Sequence, residues 1–308
     1  MPIYDDLSTK KSENIVFFRG KLLYLHIMIK PIEYTINVRG QLIDLSSPKV
    51  MGILNVTPDS FFSGSRKQTE REIAERANEI MQQGATFIDV GAFSTRPGAN
   101  EVSEDEEAAR LHFALDIIRR EQPTAPISVD TYRPVVARKC IEEWGADIIN
   151  DVSEGGLTGI VNTPIHESGN MFELVGELKV PYILMSVKSN IKDMLIAFAD
   201  EVQQLRNLGA KDIILDPGYG FGKTLEQNYE ILSEAEKLLA LDLPILVGVS
   251  RKSMIYKLVG GTPETSLPGT VAINTISLMK GAGILRVHDV KEAVETMAIV
   301  DKMAASNR

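Results

Sequence analysis

From Val50 onward the chain repeats one unit, a short apolar run followed by a longer segment whose apolar residues recur at helical spacing. Eight such runs read as buried strands: 50–56, 87–92, 127–131, 148–152, 182–186, 213–216, 245–250 and 284–288. They lack strict polar alternation until their last residues, as expected for parallel strands covered outside by helices and filled inside by barrel layers. Ile73, Ala77, Ile80 and Met81 mark one face of the first intervening segment, and Met194, Phe198, Val202 and Leu205 mark one face of the fifth. Gly84, Gly145, Gly209 and Gly281 each precede an alanine near the end of a helical segment, where a C-terminal glycine turns the chain toward the next strand.

This pattern predicts an α/β chain forming a single (β/α)8 barrel, a TIM barrel. An open doubly wound sheet is the competing architecture, and eight units with no sign of a second domain speak against it. Residues 33–45 alternate about Arg39-Gly40 and read as an N-terminal β-hairpin covering the bottom of the barrel. We expect residues 1–32 to be an N-terminal extension, partly disordered, and 33–308 to be the barrel domain. Met28 offers a second plausible start, so residues 1–27 read either as an extension or as an overlong start assignment.

Composition narrows the function classes. With 33 basic and 42 acidic residues the net charge is −9, which disfavours a chain built to neutralise nucleic-acid phosphates or to lie on an anionic membrane. It says nothing about a small anionic ligand. The single cysteine, Cys140, excludes an intrachain disulfide and any Cys-pair zinc site, and with no secretory signal it points to the cytoplasm. The most apolar early stretch, 15–29, is interrupted by Arg19, Lys21 and His26 and is too short for a membrane span.

The apolar runs stop being apolar at one end. Asn55, Asp89, Asp130, Asn150, Asp216, Ser250, Arg286 and His288 lie at or near the C-terminal ends of the strands, which converge on one mouth in a closed barrel. Any one of them could merely cap the next helix; the whole set on one end is harder to explain that way. Two segments, Thr57–Gly64 and Phe93–Gly98, have the composition of substrate-covering loops. Arg96, Lys252, Arg286 and His288 supply the cationic and donor groups that bind phosphate oxygens, unless they only pair with neighbouring aspartates.

Gly218 to Thr224 ends in Gly-Lys-Thr like a nucleotide-binding loop, but position 217 is Pro where that motif needs Gly, and position 223 is Lys where a dinucleotide fingerprint needs Gly. The loop reads instead as backbone that approaches a flat ligand closely, with Phe221 available to pack on it. Cys140 precedes Trp144 by one helical turn on an apolar face and is expected in the core, His112 is expected at the surface, and His26 and His166 have no partner pattern. No zinc-protease, Cys-x-x-Cys or serine-nucleophile motif is present.

Together these motifs resemble the dihydropteroate synthase family. Met51 to Phe61 and Ser94 to Gly98 are similar to its two flexible loops. Ser128-Val129-Asp130-Thr131, Ile149-Asn150-Asp151-Val152, Asp216-Pro217-Gly218, Ser250-Arg251-Lys252 and Arg286-Val287-His288-Asp289-Val290 are similar to its later strand-end motifs, over about residues 35–300. The resemblance implies condensation of 6-hydroxymethyl-7,8-dihydropterin diphosphate with 4-aminobenzoate, giving 7,8-dihydropteroate and diphosphate. It implies a pterin site of Asp130, Asn150, Met185, Asp216, Phe221 and Lys252, and diphosphate ligands Asn55, Arg96, Arg286 and His288, with Mg²⁺ near Asn55. Thr95, Pro97 and Ser250 would line the aminobenzoate pocket; Asp130, Asp216, Lys252 and Arg286 would carry the chemistry; and a homodimer is expected.

The chain departs from the family pattern at Phe62-Ser63-Gly64-Ser65, where Ser-Asp-Gly-Gly is usual, and at Ser186–Asn190, where a histidine and a Gly-x-Pro usually follow the methionine. Residues 154–172 are longer than usual, and Leu267-Pro268-Gly269 is unfamiliar. Two other readings remain at this point: a pterin-dependent methyltransferase, which has no use for the phosphate and aminobenzoate motifs, and a non-catalytic pterin-binding paralogue, suggested by the altered fifth loop.

Overall fold

The computed structural model describes residues 32–56, 66–93, 102–156 and 170–306, together with two antiparallel strands, Ile15–Phe18 and Lys21–Tyr24. Eight parallel strands follow one another around a barrel: β1 (Lys49–Asn55), β2 (Phe87–Gly91), β3 (Ile127–Asp130), β4 (Ile148–Asp151), β5 (Tyr182–Met185), β6 (Ile213–Asp216), β7 (Leu246–Val247) and β8 (Ile284–Val287). β8 returns to β1 with Leu285 opposite Val50, and a bridge between Leu215 and Ile245 joins β6 to β7 and closes the ring. Helices α1 (Arg66–Gln82), α2 (Glu104–Glu121), α3 (Pro134–Glu142), α4 (Met171–Leu178), α5 (Ile191–Asn207), α6 (Leu225–Ser233), α7 (Ser253–Val259), α8 (Leu267–Met279) and α9 (Val290–Ala305) surround it.

Residues two apart on a strand share a face, and this step sorts the apolar runs into two cores. Val50, Ile88, Val90, Ile127, Val129, Ile149, Leu184 and Leu285 point outward and pack with Ile80, Leu111, Phe198 and Val290 from the helices. Met51, Phe87, Ile148, Ile183, Ile214, Leu246 and Ile284 point inward and form a separate apolar layer at the bottom of the barrel. Both faces are buried, so the runs show no alternation in sequence.

The bottom layer needs a lid, and the hairpin supplies it. Its strands, Thr35–Val38 and Gln41–Asp44, meet at Arg39 (φ 52°) and Gly40 (φ 83°), the two left-handed residues of a tight hairpin turn. Ile36, Val38 and Leu45 are buried against the inward layer. Asn37 N donates to Asp212 Oδ2 at 2.9 Å, and Tyr34 Oη donates to Lys211 O at 2.8 Å, fastening the hairpin to the entrance of β6. The expected cover for the barrel bottom is therefore present.

The helix-Gly-Ala joints also stand as read. Gly84, Gly145, Gly209 and Gly281 have φ of 95°, 78°, 101° and 91°, and the alanines after them are buried. In the unfamiliar Leu267-Pro268-Gly269, the proline occupies the first turn of α8, and a Cβ on Gly269 would lie 2.3 Å from Ile255 Cγ2. Glycine there lets α8 sit directly on α7.

The strands mostly end one residue before the expected limits, and 245–250 differs most, since only Leu246 and Val247 join the ladder. The chain turns away at this point, with Lys252 N donating to Val249 O at 3.1 Å and Arg251 left-handed at φ 56°. Ser250 thus sits on a turn rather than a strand. Cys140 is buried and His112 is exposed, stacked on Trp144 at 4.7 Å; His26 and His166 lie outside the described residues. Among the described residues no helix is long and apolar enough to cross a membrane.

If the hairpin is an integral plug, Ile36→Ala should lose about 2–4 kcal/mol of stability in urea titrations. Leu42→Ala, at an exposed position of the same hairpin, should change it by no more than about 0.5 kcal/mol.

Candidate active site

One step of two residues up from the apolar bottom layer, most strands turn the barrel interior polar. Phe87 is followed on its face by Asp89, Ile148 by Asn150, Ile183 by Met185, Ile214 by Asp216 and Ile284 by Arg286; β3 contributes Asp130 above Ser128. The next step brings Asn55, Ser250 and His288 to the rim. The residues expected to converge from separate strands therefore do so because they occupy equivalent steps of a shared inward face.

Arg286 is the hub of this layer. Its Nε donates to Asp89 Oδ2 at 2.6 Å and its Nη2 to Asp130 Oδ2 at 2.7 Å. Asn150 Nδ2 approaches both oxygens of Asp89 at 3.3 Å. The expected phosphate ligand is thus also the counter-ion of two aspartates. Asp89 is fully buried and bridges Arg286 to Asn150, a role that its place in the strand motif did not reveal. Its signal in the sequence is a charged residue in the middle of the apolar run Phe87–Gly91.

Two acceptors are left over. Asp130 Oδ1 and Asn150 Oδ1 are buried without a hydrogen-bond partner, and a buried acceptor in that state costs free energy until a donor reaches it. Burial pushes the Asp130 carboxyl up to about 7; Arg286 opposes this and Asp89 reinforces it. Burial also raises Asp216, against the pull of Lys252 and of the Gly218 N–H, which donates to Asp216 Oδ1 at 2.7 Å.

Lys252 lies within electrostatic reach of Asp216, Arg286 and Asp130, its Nζ donating to Tyr219 O at 2.5 Å and lying 4.7 Å from the centre of the Phe221 ring. Burial lowers the amine to about 8, opposed chiefly by Asp216. The Gly218–Thr224 loop therefore presents the Phe221 ring and the Tyr219 carbonyl to Lys252. Met185 is fully buried beside it.

At the rim, Ser250 Oγ and His288 Nδ1 are 3.1 Å apart. Burial, with Arg286 and Arg251 nearby, lowers His288 to about 4, so the imidazole is neutral at pH 7. Arg76 from α1 donates through Nη2 to His288 O at 2.6 Å, and Arg251 holds Asp289 by two hydrogen bonds. A cleft of 540 Å³ opens here between α1 and α9, with Asn55, Arg76, Arg251 and His288 in its lining.

Thr95, Arg96 and Pro97 lie outside the described residues, as does the loop 57–65. Asn55 is exposed at the end of β1, and among the described residues no group of three His, Cys, Asp or Glu side chains is arranged to hold a metal ion. A single side-chain amide is a poor cage for a free divalent ion. An amide of this kind would fit a divalent ion only if most of the ion's other ligands came from waters and a bound anion.

Asp89→Ala would strip the Arg286–Asn150 bridge from a buried position. A loss of about 3 kcal/mol in urea unfolding is expected, far more than an exposed ion pair would contribute.

With the geometry in hand, the relatives are informative. The model of a family described as pterin binding enzyme matches residues 51–288. Dihydropteroate synthase of Escherichia coli (strain K12) is 41% identical over 278 residues, covering 85% of this chain and 94% of the relative. Among solved structures, Xanthomonas albilineans dihydropteroate synthase with 4-aminobenzoic acid superposes with a TM-score of 0.77 at 31% identity, covering 88% of this chain and 98% of that one. A Yersinia pestis dihydropteroate synthase in complex with a sulfonamide drug does so with a TM-score of 0.77 at 36% identity, covering 88% and 100%. The polar layer, the closed barrel and these likenesses agree: the chain belongs to the pterin-binding enzyme family, and within it to the dihydropteroate synthases.

Proposed function

We propose that this barrel condenses 6-hydroxymethyl-7,8-dihydropterin diphosphate with 4-aminobenzoate, forming 7,8-dihydropteroate and diphosphate for folate biosynthesis. The observation that carries the reading is the pair of unpartnered buried acceptors, Asp130 Oδ1 and Asn150 Oδ1, in a layer that also holds Arg286. A pterin presents ring N–H and amino donors of the kind such acceptors lack, and a carboxylate can accept two of them.

In this reading Asp130, Asn150 and Asp216 hold the pterin edge, Met185 and Phe221 pack on its faces, and Lys252 donates to a ring acceptor. Arg286, His288 and Arg96 receive the diphosphate. Two nitrogens of Arg286 are engaged by aspartates, which orients the guanidinium so that its remaining N–H groups can meet phosphate oxygens. His288 enters as a neutral donor and gains proton affinity when the anion arrives. Asn55 would hold Mg²⁺, which when bound neutralises leaving-group charge. By the family resemblance Thr95, Pro97 and Ser250 would line the aminobenzoate side.

No nucleophilic side chain is required. Breaking the C–O bond at the pterin methylene sends the electron pair to the diphosphate, and the cation left behind is delocalised into the pterin ring. Asp130 and Asp216 stabilise that cation electrostatically, while Arg286 stabilises the departing anion. The neutral amine of 4-aminobenzoate attacks the methylene carbon, and the proton it sheds leaves to solvent.

A homodimer belongs to the same reading. Its support is the exposed Ile276 of α8 and Ile299 and Met303 of α9, on helices that pack side by side. A cytoplasmic location rests on the single, unpaired Cys140.

The decisive assay is diphosphate release that depends on 4-aminobenzoate, in the presence of the pterin diphosphate and Mg²⁺. Binding without turnover would instead support a non-catalytic pterin-binding role. Arg286→Ala should lower kcat/KM for the pterin diphosphate by about 10²- to 10³-fold; unchanged kinetics would remove Arg286 from the mechanism. Asp130 must be ionised to accept the pterin donors, so activity should rise as pH increases through about 7. Lys252 must be protonated to donate, so activity should fall as pH increases through about 8. A narrow bell in kcat/KM against pH is the expected profile.

A further inference from the structure

Lys223 stands in the loop whose Gly-Lys-Thr ending imitates a nucleotide-binding motif, yet its ammonium does not face open space. Nζ donates to Ser186 O at 2.9 Å, Gly218 O at 2.9 Å and Phe221 O at 3.2 Å. An ammonium has three N–H groups, and here each has a carbonyl. Two of those carbonyls belong to the lysine's own loop, and the third belongs to the residue after β5.

The loop cannot close around the amine by accident. Gly218, Gly220 and Gly222 have φ of 66°, 83° and 62°, the left-handed values that curl its carbonyls inward. A Cβ at Gly218 would lie 2.3 Å from Ser186 O, so the backbones of the two loops approach too closely there for any side chain. On the far side, Thr224 and Gln227 form a reciprocal capping box, and Asn228 Oδ1 accepts from Gly220 N at 2.7 Å. Both ends of the loop are anchored, and Lys223 fills its centre.

We propose that Lys223 is a positioning residue for the pterin pocket, an ammonium staple that sets the β6–α6 loop against the end of β5. The proposal rests on the pterin reading of the mouth. Every group that it touches leads to a pocket residue. Gly218, whose carbonyl it binds, also donates its N–H to Asp216. Phe221, whose carbonyl it binds, places its ring 4.7 Å from Lys252 Nζ, and Tyr219 O between them accepts from that same Nζ. Ser186 follows Met185 in the chain, at the position where the family pattern is altered. Releasing the staple frees Asp216, Phe221 and Lys252 together, and they share one substrate.

Burial lowers the Lys223 amine to about 8 despite the negative charges of Asp216 and Glu154 facing it. Glu154 also reaches Ser186, whose Oγ donates to its Oε1 at 3.1 Å, so the end of β5 is held from two sides.

The test separates the two substrates. Lys223→Met keeps the length of the side chain and removes the donors. Its KM for the pterin diphosphate should rise about tenfold or more while its KM for 4-aminobenzoate stays within about twofold of the parent. Calorimetric binding of 6-hydroxymethylpterin, without the second substrate, should weaken by a similar factor. A purely structural lysine would lower the melting temperature and leave both constants unchanged in the folded fraction; that result overturns the proposal, as does an equal rise in both KM values. If Lys223→Met does not fold, Lys223→Arg keeps the charge without the tetrahedral donor set. It should bind the pterin at least about threefold more weakly, and parent-like affinity would overturn the staple. A parent protein that fails to bind 6-hydroxymethylpterin would overturn the reading of the mouth and this proposal with it. A parent that binds, beside a variant that binds equally well, overturns this proposal alone.

Discussion

Arg286 lies where the barrel interior changes from apolar to polar, and the arrangement of the mouth depends on how its charge is shared. Asp89 and Asp130 hold the guanidinium from two strands, and Asn150 reaches Asp89 from a third. Isolated charges at this depth would be prohibitively costly. As a connected set they are tolerated, and the set still leaves two acceptors without donors. The polar layer therefore keeps two buried acceptors that a bound donor can satisfy. A donor-rich heterocycle that reaches them recovers free energy the apo protein lacks.

The layer is stable because what lies below it is not polar. Seven inward apolar side chains and the hairpin residues Ile36, Val38 and Leu45 seal the bottom, so the charged network has protein beneath it and opens only upward. Strand geometry makes the transition abrupt. A single two-residue step separates Phe87 from Asp89 and Ile284 from Arg286. The same geometry leaves the helices free of catalytic work, apart from groups such as Arg76 that reach back to hold a strand-end carbonyl.

The loops refine this frame. The turn at Val249–Lys252 takes Ser250 out of the ladder and sets it beside His288. The Gly218–Thr224 loop uses its lysine internally and presents Phe221 and the Tyr219 carbonyl to Lys252. Cationic side chains and their aspartate partners thus meet at one end of a chain whose net charge is −9. An average over the surface carries no information about that end, because screening confines such fields to roughly 10 Å.

The barrel was legible in the chain because its period is local. Apolar runs, helical stripes and glycine-alanine joints each follow from backbone geometry within a few residues, and Asn55, Asp130, Asn150, Asp216 and His288 declared themselves by ending apolar runs. What the sequence by itself determined was the set of strands and which residues stand at their ends. Which ends face each other, and on what terms, was decided only by closure of the ring. Asp89 looked like one more strand-end carboxylate until closure set it against Arg286, 197 positions away in sequence. Pro217 already set Lys223 apart from a phosphate motif, but the three carbonyls that take its ammonium were chosen by the fold. The physical reason is the same in both cases. A strand's periodicity is written in neighbouring residues, whereas the partner of a buried charge is chosen by whichever distant group the closed barrel brings within hydrogen-bond reach.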